Sequence, residues 1–281
     1  MPIRVEEIIR SVSRLKPMPS NVSQILREVD KPNVTIESLA GMIGLDQVLT
    51  ALVLQTSNSV SLGYARTCSS LTEAIMHIGL RRLKSTLMTS SATSLMGRGL
   101  SGYQLGAGEL WHHSLMVGVT SEWLSQALRY QDSEQAYVAG LLHDIGKLLL
   151  DQAVLSNYAG IADYVQRYHL QLWQVEEKLI GIDHARVGGL IAEHWNFPVT
   201  LVDAIQFHHA PSLARINQRL PAIVNLANSF SEDYQVNRSE LLSFQAHPES
   251  LTILKLTPQD VANLKVKMKA SGIFPNFAKA E

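Results

Sequence analysis

Apolar residues recur at helical spacing along most of the chain. Val22, Ile25, Leu26 and Val29 follow an i, i+3, i+4, i+7 pattern, and Leu39, Met42, Ile43 and the run from Val48 to Leu54 continue it. Asp30-Lys31-Pro32-Asn33 ends the first of these helices, and Thr35 or Thr72 can cap the helices that follow. Leu110, His113, Val117 and Leu124 form one stripe over residues 109–128 and turn His113 inward. His112 then sits about 100° away around that helix. A further stripe, Val187, Leu190, Ile191 and Trp195, carries His184 in its first turn and leaves His194 off the apolar face, at the surface or rim. Alternating β-branched runs are nearly absent, so the pattern predicts an all-α fold.

Residues 97–108 hold five glycines in twelve positions, a composition that resists helix formation and reads as a connector between two halves. No Lys-Ser/Thr follows at the spacing of a phosphate-binding loop. Further breaks are expected near Pro211 to Pro221 and around Pro248 and Pro258. Lys265, Lys267 and Lys269 read as a solvated face of a terminal helix.

Composition removes several function classes. The 281 residues are 46% apolar and 17% charged, with 24 Lys+Arg against 25 Asp+Glu. That is too apolar for a disordered chain, and it gives no global pull toward nucleic acid or anionic lipid. Cys68 is the chain's one cysteine, so an intramolecular disulfide and a multi-thiolate metal cluster are excluded; a reducing, cytoplasmic setting is expected. The first residues carry charges where a signal peptide needs an apolar stretch, and no run of 18 apolar residues exists to cross a membrane. No Gly-x-Ser-x-Gly elbow is present, and Cys68 has no recognisable catalytic partner in the sequence.

The ten histidines change the picture. Ala136 to Leu150 is apolar almost all round and reads as one buried helix, yet His143-Asp144 lies in its middle. Two buried ionisable neighbours must be paired, hydrogen-bonded or metal-bound, so a core His–Asp hydrogen bond and a metal site both remain open. His208-His209 closes a helix stopped by Pro211; it can be a pair of dipole-favoured cations or part of the same cluster. Four helices bringing imidazole or carboxylate to one interior is how N/O metal sites in bundles are built. With no thiolate in the set, such a site suits Fe, Mn, Zn or Ni.

Trp111-x-His113-Ser114, His143-Asp144-Ile145-Gly146-Lys147, His184-x-x-x-Gly188 and His208-His209 together resemble the HD superfamily of metal-dependent phosphohydrolases. Leu15-Lys16-Pro17-Met18-Pro19, Asp46-x-x-Leu49 with Thr56-Ser57-Asn58-Ser59, Leu71-Thr72-Glu73-Ala74-Ile75-x-x-Ile78-Gly79 and Trp195-Asn196-Phe197-Pro198 narrow the resemblance to the HDOD family, over roughly residues 8 to 230. The resemblance implies an N-terminal helical bundle (1–105) packed on an HD-like helical half (106–230), followed by a helical extension (231–281). It implies metal ligands at His113, His143, Asp144, His184, His208 and His209, with one or two divalent ions, and matches Lys147 to the lysine that follows the pair in active relatives. Two departures stand out. Asn228 occupies the place of a late Asp ligand, and Ala210-Pro211-Ser212-Leu213 replaces the Gly-Tyr-Pro signature of the cyclic-di-GMP phosphodiesterases.

Two functions follow from this reading. One is a signal-transduction scaffold that binds a protein partner or a small phosphorylated ligand, with the cluster as a retained metal site. The other is a metal-dependent phosphohydrolase in which Asp144 bridges the metals and Lys147 and Arg186 neutralise phosphate charge.

Overall fold

The structure, a computed structural model, describes residues 4–15, 18–58, 68–231 and 246–273. Every regular element among them is helical, and an isolated bridge pairs Leu100 with Leu105. The backbone forms two compact units, Lys16–Leu95 and a second made of Met1–Leu15 with Met96–Glu281. This division differs from the one the resemblance implies at 105 and 230. Helix α1 (Val5–Arg14) packs within the later unit, and the helices Pro248–Leu254 and Pro258–Ala270 belong to that unit too, the first of them packed on the helix Arg219–Ser231.

The unit Lys16–Leu95 holds α2 (Ser20–Val29), α3 (Ile36–Gly44), α4 (Gln47–Ser57) and most of α5 (Leu71–Met96). The predicted stripes are buried at Val22, Ile25, Val29, Leu39, Ile43, Leu49 and Val53, whereas Val48, at the start of its run, faces outward. Thr35 Oγ1 caps α3 by accepting the Ser38 N–H at 3.2 Å, as expected. For α5 the cap is Ser70, not Thr72; its hydroxyl accepts the Glu73 N–H at 3.2 Å, since the helix already begins at Leu71.

The second unit continues with α6 (Glu109–Ala127), α7 (Ser133–Leu142), α8 (Lys147–Ser156), α9 (Tyr158–Tyr168), α10 (Leu172–Ile180), α11 (His184–His194) and α12 (Val199–Gln206). A 3-10 turn at Pro211–Leu213 leads to α13 (Arg219–Ser231), and α14 (Pro248–Leu254) and α15 (Pro258–Ala270) follow. The break expected around Pro258 is present at 255–257, and Pro248 and Pro258 each open the helix that follows, because a first-turn residue needs no N–H. Helices α6 and α7 touch backbone to backbone: a Cβ on Gly140 would lie 2.5 Å from Ser121 Oγ and 2.7 Å from the Val117 carbonyl oxygen. That close pairing sets the distance between His113 on α6 and the residues that follow α7.

Two expectations are corrected here. Ala136 to Leu150 is not one helix: α7 stops at Leu142, a tight turn covers 143–146, and α8 starts at Lys147. The turn is built on short-span bonds, Ile145 N–H to the Leu142 carbonyl and Lys147 N–H to the Asp144 carbonyl, both 3.0 Å. In an unbroken helix adjacent residues diverge by about 100°; here His143 Nε2 and Asp144 Oδ2 come within 3.4 Å. The glycine-rich stretch, in turn, is more than a connector. Leu100, Tyr103 and Leu105 are buried, Gly102 N–H donates to Asp151 Oδ1 at 2.8 Å, and the Arg98 guanidinium donates to the Leu148 carbonyl. The segment is docked on α8.

Gly146 is where α8 meets α11. A Cβ there would collide with the His184 carbonyl oxygen and lie 2.6 Å from Gly188 N. Both contacts are backbone, so neither can step aside. Gly146→Ala is expected to cost about 3 kcal/mol or more, at or above the upper end of overpacking penalties. Urea unfolding should show it as a lowered midpoint, and an unchanged midpoint would contradict the packing described.

Candidate metal centre

Four segments deliver the cluster: His113 from α6, His143-Asp144 from the turn after α7, His184 from the first position of α11, and His208-His209 from the turn after α12. None of the six exposes more than 6% of its surface. His112 is exposed and His194 is half-buried at the rim, where its Nε2 meets the Leu15 carbonyl at 3.2 Å. The helix spacing therefore sorted inward from outward histidines correctly.

Asp144 is the common neighbour. Its Oδ2 lies 3.3 Å from His113 Nε2 and 3.4 Å from His143 Nε2, and its Oδ1 lies 3.2 Å from His184 Nε2. His113 and His143 approach through their Nε2 atoms at 3.3 Å, and His184 and His209 do the same at 2.8 Å. Two groups of potential ligands result, His113/His143/Asp144 and His184/His208/His209, with the ligand atoms of each group within 4.8 Å of one another. The Asp144–His184 contact joins them.

The imidazole tautomers follow from what the far nitrogens touch. His143 Nδ1–H donates to the Gly140 carbonyl at 2.7 Å, His208 Nδ1–H to the Ile205 carbonyl at 2.8 Å, and His184 Nδ1–H to Glu176 Oε2 at 2.6 Å. Neutral His143 and His208 therefore hold a lone pair on Nε2, the arrangement seen in metal-ligating histidines whose other nitrogen is held by the protein. His143 Nε2 then faces a carboxylate oxygen, acceptor to acceptor, so His143 and Asp144 do not hydrogen-bond each other; Asp144 accepts from His113, His184 and Lys147 instead. His208 Nε2 is buried with no hydrogen-bond partner among the described residues, and the same is true of Asn228 Oδ1. A divalent cation would satisfy the inward lone pairs, so the residues present fit a metal.

Charges are distributed unevenly. Burial drives His143 down to about 3, with His113 and Lys147 lowering it further against the pull of Asp144. Burial also holds His208 and His209 well below the usual imidazole range. Both rings are buried, and His209 meets His184 at 2.8 Å, so the pair is part of the same cluster. His184 goes the other way: burial opposes its charge, but Glu176 and Asp144 outweigh burial and raise it to about 9. Burial likewise pushes the Asp144 carboxyl up, yet His143, Lys147 and the hydrogen bonds from His113 and His184 hold it well below the usual carboxylate range. Lys147 Nζ donates to Asp144 Oδ2 at 2.7 Å and is itself buried.

Four further residues complete the site and were not singled out in the sequence. Fully buried Glu176 accepts both the His184 ring N–H and its backbone N–H (2.9 Å), and Tyr103 O–H donates to its other oxygen at 2.8 Å. The available signal was a glutamate on the apolar stripe Leu172, Val175, Ile180. Asn225 Nδ2–H holds the His208 carbonyl at 2.7 Å, and Trp173 stacks on His209 with ring centres 5.5 Å apart. Arg186, by contrast, is exposed. Its guanidinium makes no hydrogen bond or ion pair with the cluster among the described residues; its backbone N–H is held by the Asp183 cap at 2.7 Å.

Comparison with known proteins identifies the fold that carries this cluster. The sequence profile of the HDOD domain matches residues 15–211. An uncharacterized protein of Treponema pallidum (strain Nichols) is 25% identical over 193 residues, which cover 68% of this chain and 37% of that protein. The chain thus spans little more than a third of this relative. Among solved structures, an HDOD domain protein of unknown function from Geobacter sulfurreducens superposes with a TM-score of 0.72 at 24% identity, covering 94% of this chain and 93% of the other. A protein titled "Putative phosphohydrolase" from Shewanella amazonensis SB2B gives 0.68 at 22% identity, with 95% of both chains covered. At these identities the likeness is one of fold.

The protonation pattern has a stability consequence in metal-free protein. His143, His208 and His209 have folded pKa values below the unfolded value, so the folded state binds fewer protons once pH falls through about 6.5. Their contribution is present above that pH and lost below it. His184, raised to about 9, contributes fully below pH 6.5 and does not offset the loss there. Chelator-treated protein is therefore expected to lose stability between pH 7 and 5.5, by up to about 1.4 kcal/mol per pH unit for each of the three histidines. Urea unfolding across that range checks it; a flat or rising stability would contradict the assigned protonation states.

Proposed function

Because the chain belongs to the HDOD domain family, we propose that it is a regulatory binding module whose buried His/Asp cluster holds a divalent metal. The observation that carries this reading is the orientation of His143, His184 and His208. Each commits Nδ1–H to a protein acceptor and leaves Nε2 for the interior shared with Asp144. His113, His143, Asp144, His184, His208 and His209 would hold the metal, and Glu176 would orient His184 from behind, as outer carboxylates do for ligating histidines. The donors are nitrogen and oxygen only, which suits Fe, Mn, Zn or Ni. When bound, the metal supplies an electrostatic cross-link between the four segments that carry its ligands.

Closure of the site supports a structural use of the metal over a catalytic one. Six ligands with at most 6% exposure leave a bulky phosphate ester little access. Asn228 in place of a carboxylate points the same way, since a neutral amide holds a hard cation less well. In this reading the output passes through a partner, either a protein or a small phosphorylated ligand.

A second reading, metal-dependent phosphohydrolase, draws on Lys147. Its buried ammonium, 2.7 Å from Asp144 Oδ2, stands where phosphate charge would need neutralising. The metal would supply Lewis acidity when bound. Exposed Arg186 adds nothing evident to that reading, and the missing Gly-Tyr-Pro signature argues against cyclic-dinucleotide substrates.

The two readings separate in one experiment on metal-loaded and chelator-treated protein. With free metal at 100 times its Kd, stability is expected to rise by about 2.7 kcal/mol, or at least about 5 °C in Tm. Phosphomonoesters, nucleotides and cyclic dinucleotides should remain intact above a metal-only blank. Turnover that disappears in His143→Ala/Asp144→Ala would overturn the scaffold reading in favour of the hydrolase.

A further inference from the structure

A second set of metal-binding side chains lies in the unit Lys16–Leu95 and shares no residue with the His/Asp cluster. Glu73 and His77 are four residues apart on α5 and therefore share a face of its first two turns. Cys68 sits just before that helix, with its backbone clamped at both ends. Asn58 Oδ1 accepts the Cys68 N–H at 2.6 Å, and Asn58 Nδ2–H donates to the Cys68 carbonyl at 3.1 Å. The clamp sets the buried Sγ 2.9 Å from His77 Nδ1. One ligand atom from each of Cys68, Glu73 and His77 lies within 4.8 Å of the other two.

Simpler roles account for part of this arrangement. Ser70 and Glu73 form an approximate capping pair, with the Glu73 N–H on Ser70 Oγ at 3.2 Å and the Ser69 N–H on Glu73 Oε2 at a long 3.4 Å. That use engages one carboxylate oxygen weakly and leaves the other available. A capping role also gives no reason for the chain's single thiol and an imidazole to converge on the same carboxylate.

We propose that Cys68, Glu73 and His77 form a zinc site at the start of α5, independent of the cluster around Asp144. Thiolate, imidazole and carboxylate are the three donor types zinc takes, at about 2.3, 2.0–2.1 and 2.0–2.2 Å respectively. Side chains already gathered this closely reach those distances with small rotamer adjustments. Glu73 and His77 are half-exposed, so the fourth position opens to water. The soft thiolate favours zinc over magnesium or calcium. Binding transfers the thiol proton to solvent and forms the sulfur–metal bond, with no change of oxidation state. The ion would tie the Asn58-anchored strand of backbone at Cys68 to the first two turns of α5.

Cobalt(II) replaces zinc in such sites and gives a near-ultraviolet charge-transfer band only when bound to a thiolate. Cys68 is the only cysteine, and the His/Asp cluster has no sulfur donor, so the band reports this site alone. Titrating the reduced full chain with cobalt should raise the band to saturation, at about one equivalent in His143→Ala/Asp144→Ala, where the cluster around Asp144 no longer competes for the ion. Zinc should bleach it, and His143→Ala/Asp144→Ala should keep it. His77→Ala and Glu73→Gln should each weaken cobalt binding at least ~10-fold, and Cys68→Ser should abolish the band. Absence of the band in the unmutated chain overturns the proposal without reference to any variant. Undiminished affinity in folded His77→Ala and Glu73→Gln would also overturn it, because cobalt would then be held by the thiol alone.

Discussion

Asp144 is a carboxylate with 1% of its surface exposed, within 3.4 Å of three imidazole nitrogens and 2.7 Å from an ammonium. Burying such a charge without partners costs several kcal/mol, so the fold must bring the partners to it. Much of the second unit serves that end. The Gly118–Gly140 crossing lets α6 approach α7 closely enough for His113 to reach the turn. Gly146 lets α8 pass against α11, which carries His184. Asn225 ties the His208 carbonyl to α13 and, through its Oδ1, to the backbone N–H of His247 and the hydroxyl of Ser250 at the start of α14.

The same constraint decides how the cluster manages charge. Protonated His184 lies between the carboxyl groups of Asp144 and Glu176, and Lys147 donates to Asp144, while His143, His208 and His209 stay uncharged in the metal-free interior. A cation entering this set competes with the proton on His184 Nε2 and with the Lys147 ammonium. Metal binding by the cluster is thereby coupled to proton release and to pH, the usual linkage for imidazole sites. Tyr103 extends the network from the glycine-rich segment, so a stretch that reads as a connector supports the second carboxylate.

Much of this was legible in the sequence, for specific reasons. Helical periodicity alone placed His113 inside and His112 about 100° away around the helix, and the apolar run around His143-Asp144 marked an ionisable pair that needed partners. The family pattern then joined six residues spread over nearly a hundred positions. Other features depend on three-dimensional approach and left weaker traces. The break at 143–146 arises because α11 crosses at Gly146, which the uniformly apolar run conceals. Glu176 hid within a helical stripe where a single acidic residue looked like ordinary variation. Arg186 shows the converse: its place beside the His184 motif suggested a role, but the first turn of α11 directs it outward. Cys68 looked isolated because its neighbours, Glu73 and His77, come together with it only once the chain folds back onto α5.

The central claim is that the interior around Asp144 is a metal site and not a self-contained hydrogen-bonded core. Metal content decides it most directly, measured by inductively coupled plasma mass spectrometry on tag-free protein purified without chelator and with air excluded. Because Cys68 could hold zinc, the measurement compares Cys68→Ser protein with the same protein carrying His143→Ala/Asp144→Ala, both confirmed folded. The account predicts about one or two equivalents of Fe, Mn, Zn or Ni in the first and their loss in the second. Less than about a tenth of an equivalent in the first, even after reconstitution with each metal, would contradict it, since a preassembled nitrogen and oxygen donor set should retain its ion.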